Sequence, residues 1–327
     1  VNRLTRLVVS ALFAAVTGLV LAGLGSASAL DYPTRPVRWV VPYPPGGTTD
    51  VLARIVAQWL SEKMGQQYII ENKPGGGNNI GTESVVKAEP DGYTMLLVNP
   101  ANGINATLYK NLSYNFIRDI TPVAGLIRTP NVMEVTNSFP AKTVAEFIDY
   151  CKKNPGKINM ASSGSGTSVH LSGELFKSMT GCQMVHVPYK GAGPALTDLI
   201  GGQVHVLFDN LPSSAGFIKA GSIRALAVTS AQREPSLPDA PTVGDTVKGY
   251  EATAWFGIGM PKGTPKEIIA KVNAEVNRML ADPAMRDKFA ALGGKPIGGT
   301  PEDFGKVIAA ETEKWSKVVI SSGATVE

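Results

Sequence analysis

The 327-residue sequence predicts an α/β fold: two parallel-sheet domains, or lobes, joined by a two-segment hinge. Three observations carry this. Branched apolar runs of strand length alternate with helix-period segments across residues 37–98, the rhythm of a parallel sheet covered by helices. The same alternation resumes over residues 143–229. From Pro265 onward the spacing is helical throughout, and a tail without strands has no α/β core of its own, so it is expected to pack back on the first block.

In chain order, Val37-Arg38-Trp39-Val40-Val41 reads as a strand, and Gly46-Gly47-Thr48-Thr49-Asp50 as a turn into a helix over 51–64, with Val51, Leu52, Ile55 and Leu60 on one face. Residues 68–70 form the next strand, Pro74-Gly75-Gly76-Gly77 a loop, 80–88 a helix, and 93–98 a strand after the Asp91-Gly92 turn. In the second block, Thr143 is the expected N-cap of a helix over 143–153 that stops at Asn154-Pro155-Gly156. Strands follow at 158–161, 184–187, 204–208 and 224–229, with helices at 167–179, 194–200 and 214–220. The tail reads as helices at 265–281, 283–292 and 301–321. If the tail joins the first block, lobe 1 comprises residues 30–130 plus 254–327 and lobe 2 residues 131–253. The chain then crosses twice, near 126–135 and 250–258; Trp255-Phe256 beside the second crossing are expected to pack in the core by default, or in the hinge. Two lobes on such a hinge suit capture of a ligand by closure.

Residues 1–29 read as a cleaved signal peptide. Arg3 and Arg6 form the basic end, an apolar run follows, and Ala27-Ser28-Ala29 supplies small side chains for the peptidase, so the mature chain is expected to begin at Leu30 in the periplasm. No Cys sits at the cleavage point, and no second apolar stretch is long enough to span a membrane. The formal net charge is +4, falling towards neutrality without Arg3 and Arg6, and no basic run suggests nucleic acid. The two cysteines, Cys151 and Cys182, are an even count in an oxidising compartment, which favours a disulfide over two buried thiols.

Two loops point to a ligand site. Pro42-Tyr43-Pro44-Pro45-Gly46-Gly47-Thr48-Thr49-Asp50 and Ser162-Ser163-Gly164-Ser165-Gly166-Thr167-Ser168-Val169-His170 each lie at the carboxyl end of a strand and open a helix, one per block. Ligands of open α/β sheets bind there. A helix start offers N–H groups without intrahelical acceptors, and Ser/Thr hydroxyls add donors. Either loop alone is an ordinary helix start. The equivalent pair suits an anion held from both sides. Asp50 is placed to stabilise the helix dipole, and Asp209 either forms a turn or faces the ligand.

Other chemistries fit poorly. Ser165, His170 and Asp209 do not occur in α/β-hydrolase order, and Gly164-Ser165-Gly166 is not the nucleophile elbow, so no catalytic residue is assigned. His170, His186 and His205 lack a metal-ligand spacing. Neither dinucleotide nor Walker motif is present, so no cofactor is expected.

Taken together, Tyr32-Pro33-Thr34-Arg35-Pro36-Val37, the first loop, Glu71-Asn72-Lys73-Pro74-Gly75-Gly76-Gly77, Asp91-Gly92-Tyr93-Thr94, the stretch from Gly164 to Leu171, Val187-Pro188-Tyr189-Lys190-Gly191 and Ala240-Pro241-Thr242-Val243 resemble the Bug family, the periplasmic receptors of tripartite tricarboxylate transporters. The resemblance covers residues 32–317. It implies a type II-like, two-lobed periplasmic-binding-protein fold and no enzymatic activity. It also implies a small organic carboxylate as ligand, among them di- and tricarboxylates, acidic amino acids and aromatic acids. Carried over, the ligand residues are Tyr43, Gly47, Thr48 and Thr49 from one lobe, and Ser162, Ser163, Gly166, Thr167 and Ser168 from the other. Asn99, His170 and Asp209 complete the candidate set. Tyr43 stands where many relatives carry Phe. The implied partners are the permease subunits of the transporter, with the receptor itself a monomer. A sensor protein feeding a two-component system is the alternative.

Overall fold

A computed structural model of the protein describes residues 31–326; the signal-peptide reading lies outside them. Strand β1 (Val37–Val41) is buried at Trp39, Val40 and Val41 because it is flanked on both sides, by β2 (Tyr68–Asn72) and β3 (Thr94–Val98), in parallel. Helix α1 (Thr48–Met64) covers the sheet with Leu52, Ala53, Val56, Ala57 and Leu60, and ends at Gly65 in the left-handed conformation. Helices α2 (Asn79–Val86) and α3 (Pro100–Leu108) follow, then a short α4 (Phe116–Asp119).

The chain next enters β4 (Ile120–Thr136), 17 residues long. Beyond it lie α5 (Val144–Lys153), β5 (Ile158–Ser162), α6 (Ser168–Thr180) and β6 (Met184–Pro188). Then come α7 (Ala192–Ile200), β7 (Val206–Asn210), α8 (Leu211–Lys219) and β8 (Ile223–Val228). Helix α9 (Val243–Thr246) leads to β9 (Thr253–Pro261), and α10 (Lys266–Ala281), α11 (Pro283–Ala291), β10 (Lys295–Pro296) and α12 (Pro301–Ser322) complete the chain. The Thr143 cap is as expected: its side chain accepts from the Glu146 N–H at 3.1 Å.

The strand order is β2-β1-β3-β9-β4-β7-β5-β6, with β8 and β10 also on β4. Each end of this path is parallel, β2-β1-β3 and β7-β5-β6, as the alternation predicts. Between them the two segments expected as a hinge are long strands. β4 runs antiparallel to β9 over Ile120 to Pro130, then antiparallel to β7 and β8 over Asn131 to Thr136. Pro122, Gly125 and Pro130 hid β4 as breakers, yet the register shifts between Pro122 and Ala124 and between Gly125 and Ile127, so bulges absorb the irregularity.

The tail does more than close the first core. Phe304 and Ile308 at the start of α12 pack with Val40, Leu96 and Trp255, whereas Trp315 and Val319 pack with Phe147, Phe176 and Phe208 of the second block. At 1.5 Å rise per residue, a helix of 22 residues reaches about 33 Å, enough to touch both cores. The Phe304 ring stands edge-on to Trp255, with centroids 5.9 Å apart, over Gly257, where a Cβ would collide with the ring. Phe304→Ala is expected to lower stability by about 3–5 kcal/mol, because so enclosed a cavity collapses little. Urea unfolding with an unchanged slope checks this.

Candidate ligand-binding site

The carboxyl ends of β1 and β5 bring the two loops to one cavity. It is lined by Tyr43, Gly47, Thr48, Thr49, Asn99 and Pro100 from one side and by Ser163, Thr167, Ser168, Ala192 and Asn210 from the other, with Phe256 of β9 between. Eight of the twelve expected ligand residues therefore meet. Its volume is about 30 Å³, the scale of an ordered water, so the surrounding elements are closed on one another. Thr48 Oγ1 donates to Ser213 Oγ at 3.1 Å, joining α1 to α8. A Cβ on Gly77 would collide with the Ser165 carbonyl, and one on Gly166 (φ 84°) with Asn105 Oδ1, so both contacts need glycine.

The two helix starts differ in how their donors are used. The α1 N-cap, Gly47, contributes no side-chain bond; its carbonyl takes the Asp50 N–H, which leaves the N–H groups of Thr48 and Thr49 for the cavity. Asp50 sits in that turn, accepting from the Gly46 N–H at 3.1 Å and pairing with Arg54. Its carboxyl is desolvated, but bonds from Arg54, Asn72 and Gly46 hold it below the usual range. At α6, Thr167 Oγ1 donates to the Gly164 carbonyl at 2.8 Å and accepts from the His170 N–H at 3.1 Å. Its hydroxyl proton is thus committed to the cap, and the donors left to a ligand are backbone groups. Ser168 Oγ accepts from Asn210 Nδ2 at 3.2 Å.

Ser162, Gly166, His170 and Asp209 stand behind the cavity. Ser162 Oγ lies 2.6 Å from His186 Nε2 and accepts from the Gly164 N–H. The His170 and His186 rings stack, 4.0 Å between centroids, and the Gly166 N–H donates to His170 Nδ1 at 3.3 Å. Burial, then the neighbouring His186 and Lys177, depresses His170 to about 3. Burial, then Lys177, takes His186 to about 4. These neutral rings prop the serine-rich loop from beneath. Tyr43 is buried, which raises its phenol well above the ordinary value. Tyr43 and Ser163 also line a neighbouring cavity of about 240 Å³, walled by Gly75 to Asn78, Tyr109, Tyr189 and Lys190.

Sequence reasoning missed Asn210, Pro100 and Ala192 as cavity residues and took Phe256 for core or hinge packing. Asn210 directly follows Asp209 at the carboxyl end of β7, where the strand-end rule would have reached it.

Comparison with known proteins decides the family. The pattern described as "Tripartite tricarboxylate transporter family receptor" matches residues 52–323. The chain belongs to that family. It is 36% identical to BugT of Bordetella pertussis over 321 residues, 96% of this chain and 98% of that one. Among solved structures it is similar to the R. palustris protein with adipate (42% identity, TM-score 0.88, 90% of this chain and 100% of that one). It is also similar to MatC from Rhodopseudomonas palustris with bound malate (31% identity, TM-score 0.84, 88% and 100%). The fold is therefore the two-lobed fold of periplasmic binding proteins, and the chain is a solute receptor of a tripartite transporter rather than an enzyme. No helix among the described residues is long and apolar enough to cross a membrane.

The histidine pair has a pH signature. Both folded values lie below 6.5, so the unfolded chain binds more protons on acidification, and stability drops as pH falls from about 6.5 towards 4. His186→Gln should flatten that decline, read from urea midpoints across pH.

Proposed function

We propose that this receptor captures a small carboxylic acid in the periplasm and delivers it to the membrane subunits of its transporter, acting as a monomer. The cavity between the α1 and α6 starts carries this reading. It holds two sets of helix-start donors and no Lys or Arg, the means by which a desolvated carboxylate is held without a counter-ion. The carboxylate head occupies this cavity, and the rest of the molecule extends into the neighbouring 240 Å³ space past Tyr43. The adipate and malate in the related structures are acids of this kind. Ser162, Gly166, His170 and Asp209 then serve the ligand by fixing the loops.

We take residues 30–130 plus 254–327 as one lobe and residues 131–253 as the other, a division supported by the passage of β4 from β9 to β7 at Pro130 and Asn131. Closing them is what satisfies the anion from both sides.

A thermal-shift screen of mono- and dicarboxylic acids tests the reading: an acid at a hundred times its Kd adds about 2.7 kcal/mol of stability. Thr49, which lines the cavity, is the variant of choice. Thr49→Val should weaken binding roughly ten- to a hundredfold. Thr167→Val should instead lower stability by about 1 kcal/mol through the lost cap. Equal affinity of Thr49→Val and the parent protein would remove the cavity from consideration.

Export and oxidation belong to the same proposal. Cys151 and Cys182 are both buried and unbridged, and their thiols lie within reach of each other. Burial, with Cys182 alongside, pushes the Cys151 thiol up to about 12, so the reduced pair is a poor nucleophile and its oxidation needs a catalyst. Intact mass of the exported protein is expected to show a start at Leu30 and a hydrogen missing from each thiol. Retained residues 1–29, or two alkylatable thiols, would contradict it.

A further inference from the structure

Behind the cavity lie two buried carboxyl groups that ligand contact does not explain. Glu134 of β4 is 0% exposed and Asp209 of β7 1% exposed. They share one hydroxyl: Ser214 Oγ is 2.9 Å from both Glu134 Oε1 and Asp209 Oδ2. Ser213 Oγ also bonds Asp209 Oδ2 and accepts from Thr48 Oγ1. Glu134 Oε2 and Asp209 Oδ1 have no partner.

Counting protons limits how this chain can run. Ser214 has one hydroxyl proton and cannot donate to both acids. These contacts are met if Glu134 is protonated and donates to Ser214, Ser214 donates to Asp209, and Asp209, as the carboxylate, also accepts from Ser213, whose one proton is shared with the Asn210 carbonyl 2.8 Å away and whose oxygen accepts from Thr48. Two adjacent buried carboxylates could not both ionise in any case. Burial, then Asp209, raises Glu134 well above the usual range, and burial raises Asp209 to about 6.

Among the described residues no cation pairs with either acid. On α1, Arg54 pairs with Asp50. On β8, Arg224 donates to the Phe139 and Ala141 carbonyls. Lys219 is exposed at the far end of α8. On α7, Asp198 takes the Tyr189 hydroxyl, and on α6, Lys177 pairs with Glu174 beside the neutral His170.

In this arrangement Thr48 has donated its proton away from the cavity and turns a lone pair towards it. A ligand carboxylate there would meet an acceptor. We propose that ligand capture draws one proton from solvent onto Asp209 and that this reverses the chain. Asp209 then donates to Ser213, Ser213 to Thr48, and Thr48 to the ligand carboxylate. No covalent bond is exchanged other than the O–H formed on Asp209, and Thr48 and Ser213 need only rotate their hydroxyl hydrogens. Asp209, Ser213 and Glu134 are thus positioning residues of the site. The inference rests on the reading that the carboxylate lies in the cavity lined by Thr48.

Calorimetric titration of the whole mature protein tests it, with adipate as probe, or the acid giving the largest thermal shift if adipate gives none. Above pH about 6, the heat should depend on the buffer's ionisation enthalpy in the sense of proton uptake. Affinity should fall by up to tenfold per pH unit there and level off below it. Asp209→Asn should bind with buffer-independent heat and a flat pH profile. Ser213→Ala keeps both acids but cuts them off from Thr48, so it should lose the pH dependence as well as affinity; a merely structural role would weaken binding equally at every pH. Should Asp209→Asn fail to fold, Ser213→Ala decides. Binding with buffer-independent heat in the parent protein overturns the coupling alone, whereas failure of every acid to bind overturns the cavity reading and the coupling with it.

Discussion

Asn131 is the residue on which the two halves of the structure turn. It sits fully buried where β4 leaves β9 and takes up β7. Its N–H donates to Thr229 Oγ1, and its carbonyl accepts from the Thr229 N–H. Its amide donates to Ser172 Oγ at 3.1 Å and to the Phe208 carbonyl at 2.9 Å, while Oδ1 accepts from Asn210 at 2.7 Å. Every polar group of a buried side chain is thereby used, as burial requires. The same amide reaches the site at one remove, because Asn210 lines the cavity and bonds Ser168. The handover of the sheet and the shape of the site are one constraint.

From that point the site follows. Parallel strands β1 and β5 end on the same side of their sheets and deliver α1 and α6 start-first to one cavity. Their donors are unequal: α1 begins on an uncapped glycine, while α6 is capped by Thr167 and braced by stacked histidines. The first offers loose N–H groups and Thr hydroxyls, the second a stiff loop. An anion held by such neutral donors brings its charge close to buried groups, which is why the Glu134 and Asp209 pair bears on capture.

Much of this was legible in the chain. The strand-helix alternation located the parallel strands and their helices to within a few residues, because apolar period reports burial directly. Strand-end turns rich in Gly, Ser and Thr located seven cavity residues. Helix α3 was not read from the sequence: no element was assigned after residue 98, yet Asn99 and Asn102 cap each other's backbone there. Gly103 is bare because a Cβ there would lie 2.6 Å from Thr312 Oγ1 of α12.

The sequence by itself determined the fold class, the family and the two loops, since these depend on local pattern and on residue types at fixed spacing. Only the tertiary structure decided that β4 and β9 are strands shared across the molecule, and that α12 reaches both cores. It alone showed that the hydroxyl of Thr167 is spent on its helix cap and that Thr48 is tied to Ser213 and the buried acids. Those facts depend on which partner takes each donor, and partners distant in sequence, such as Thr48 and Ser213 or Glu134 and Ser214, meet only when the chain has folded.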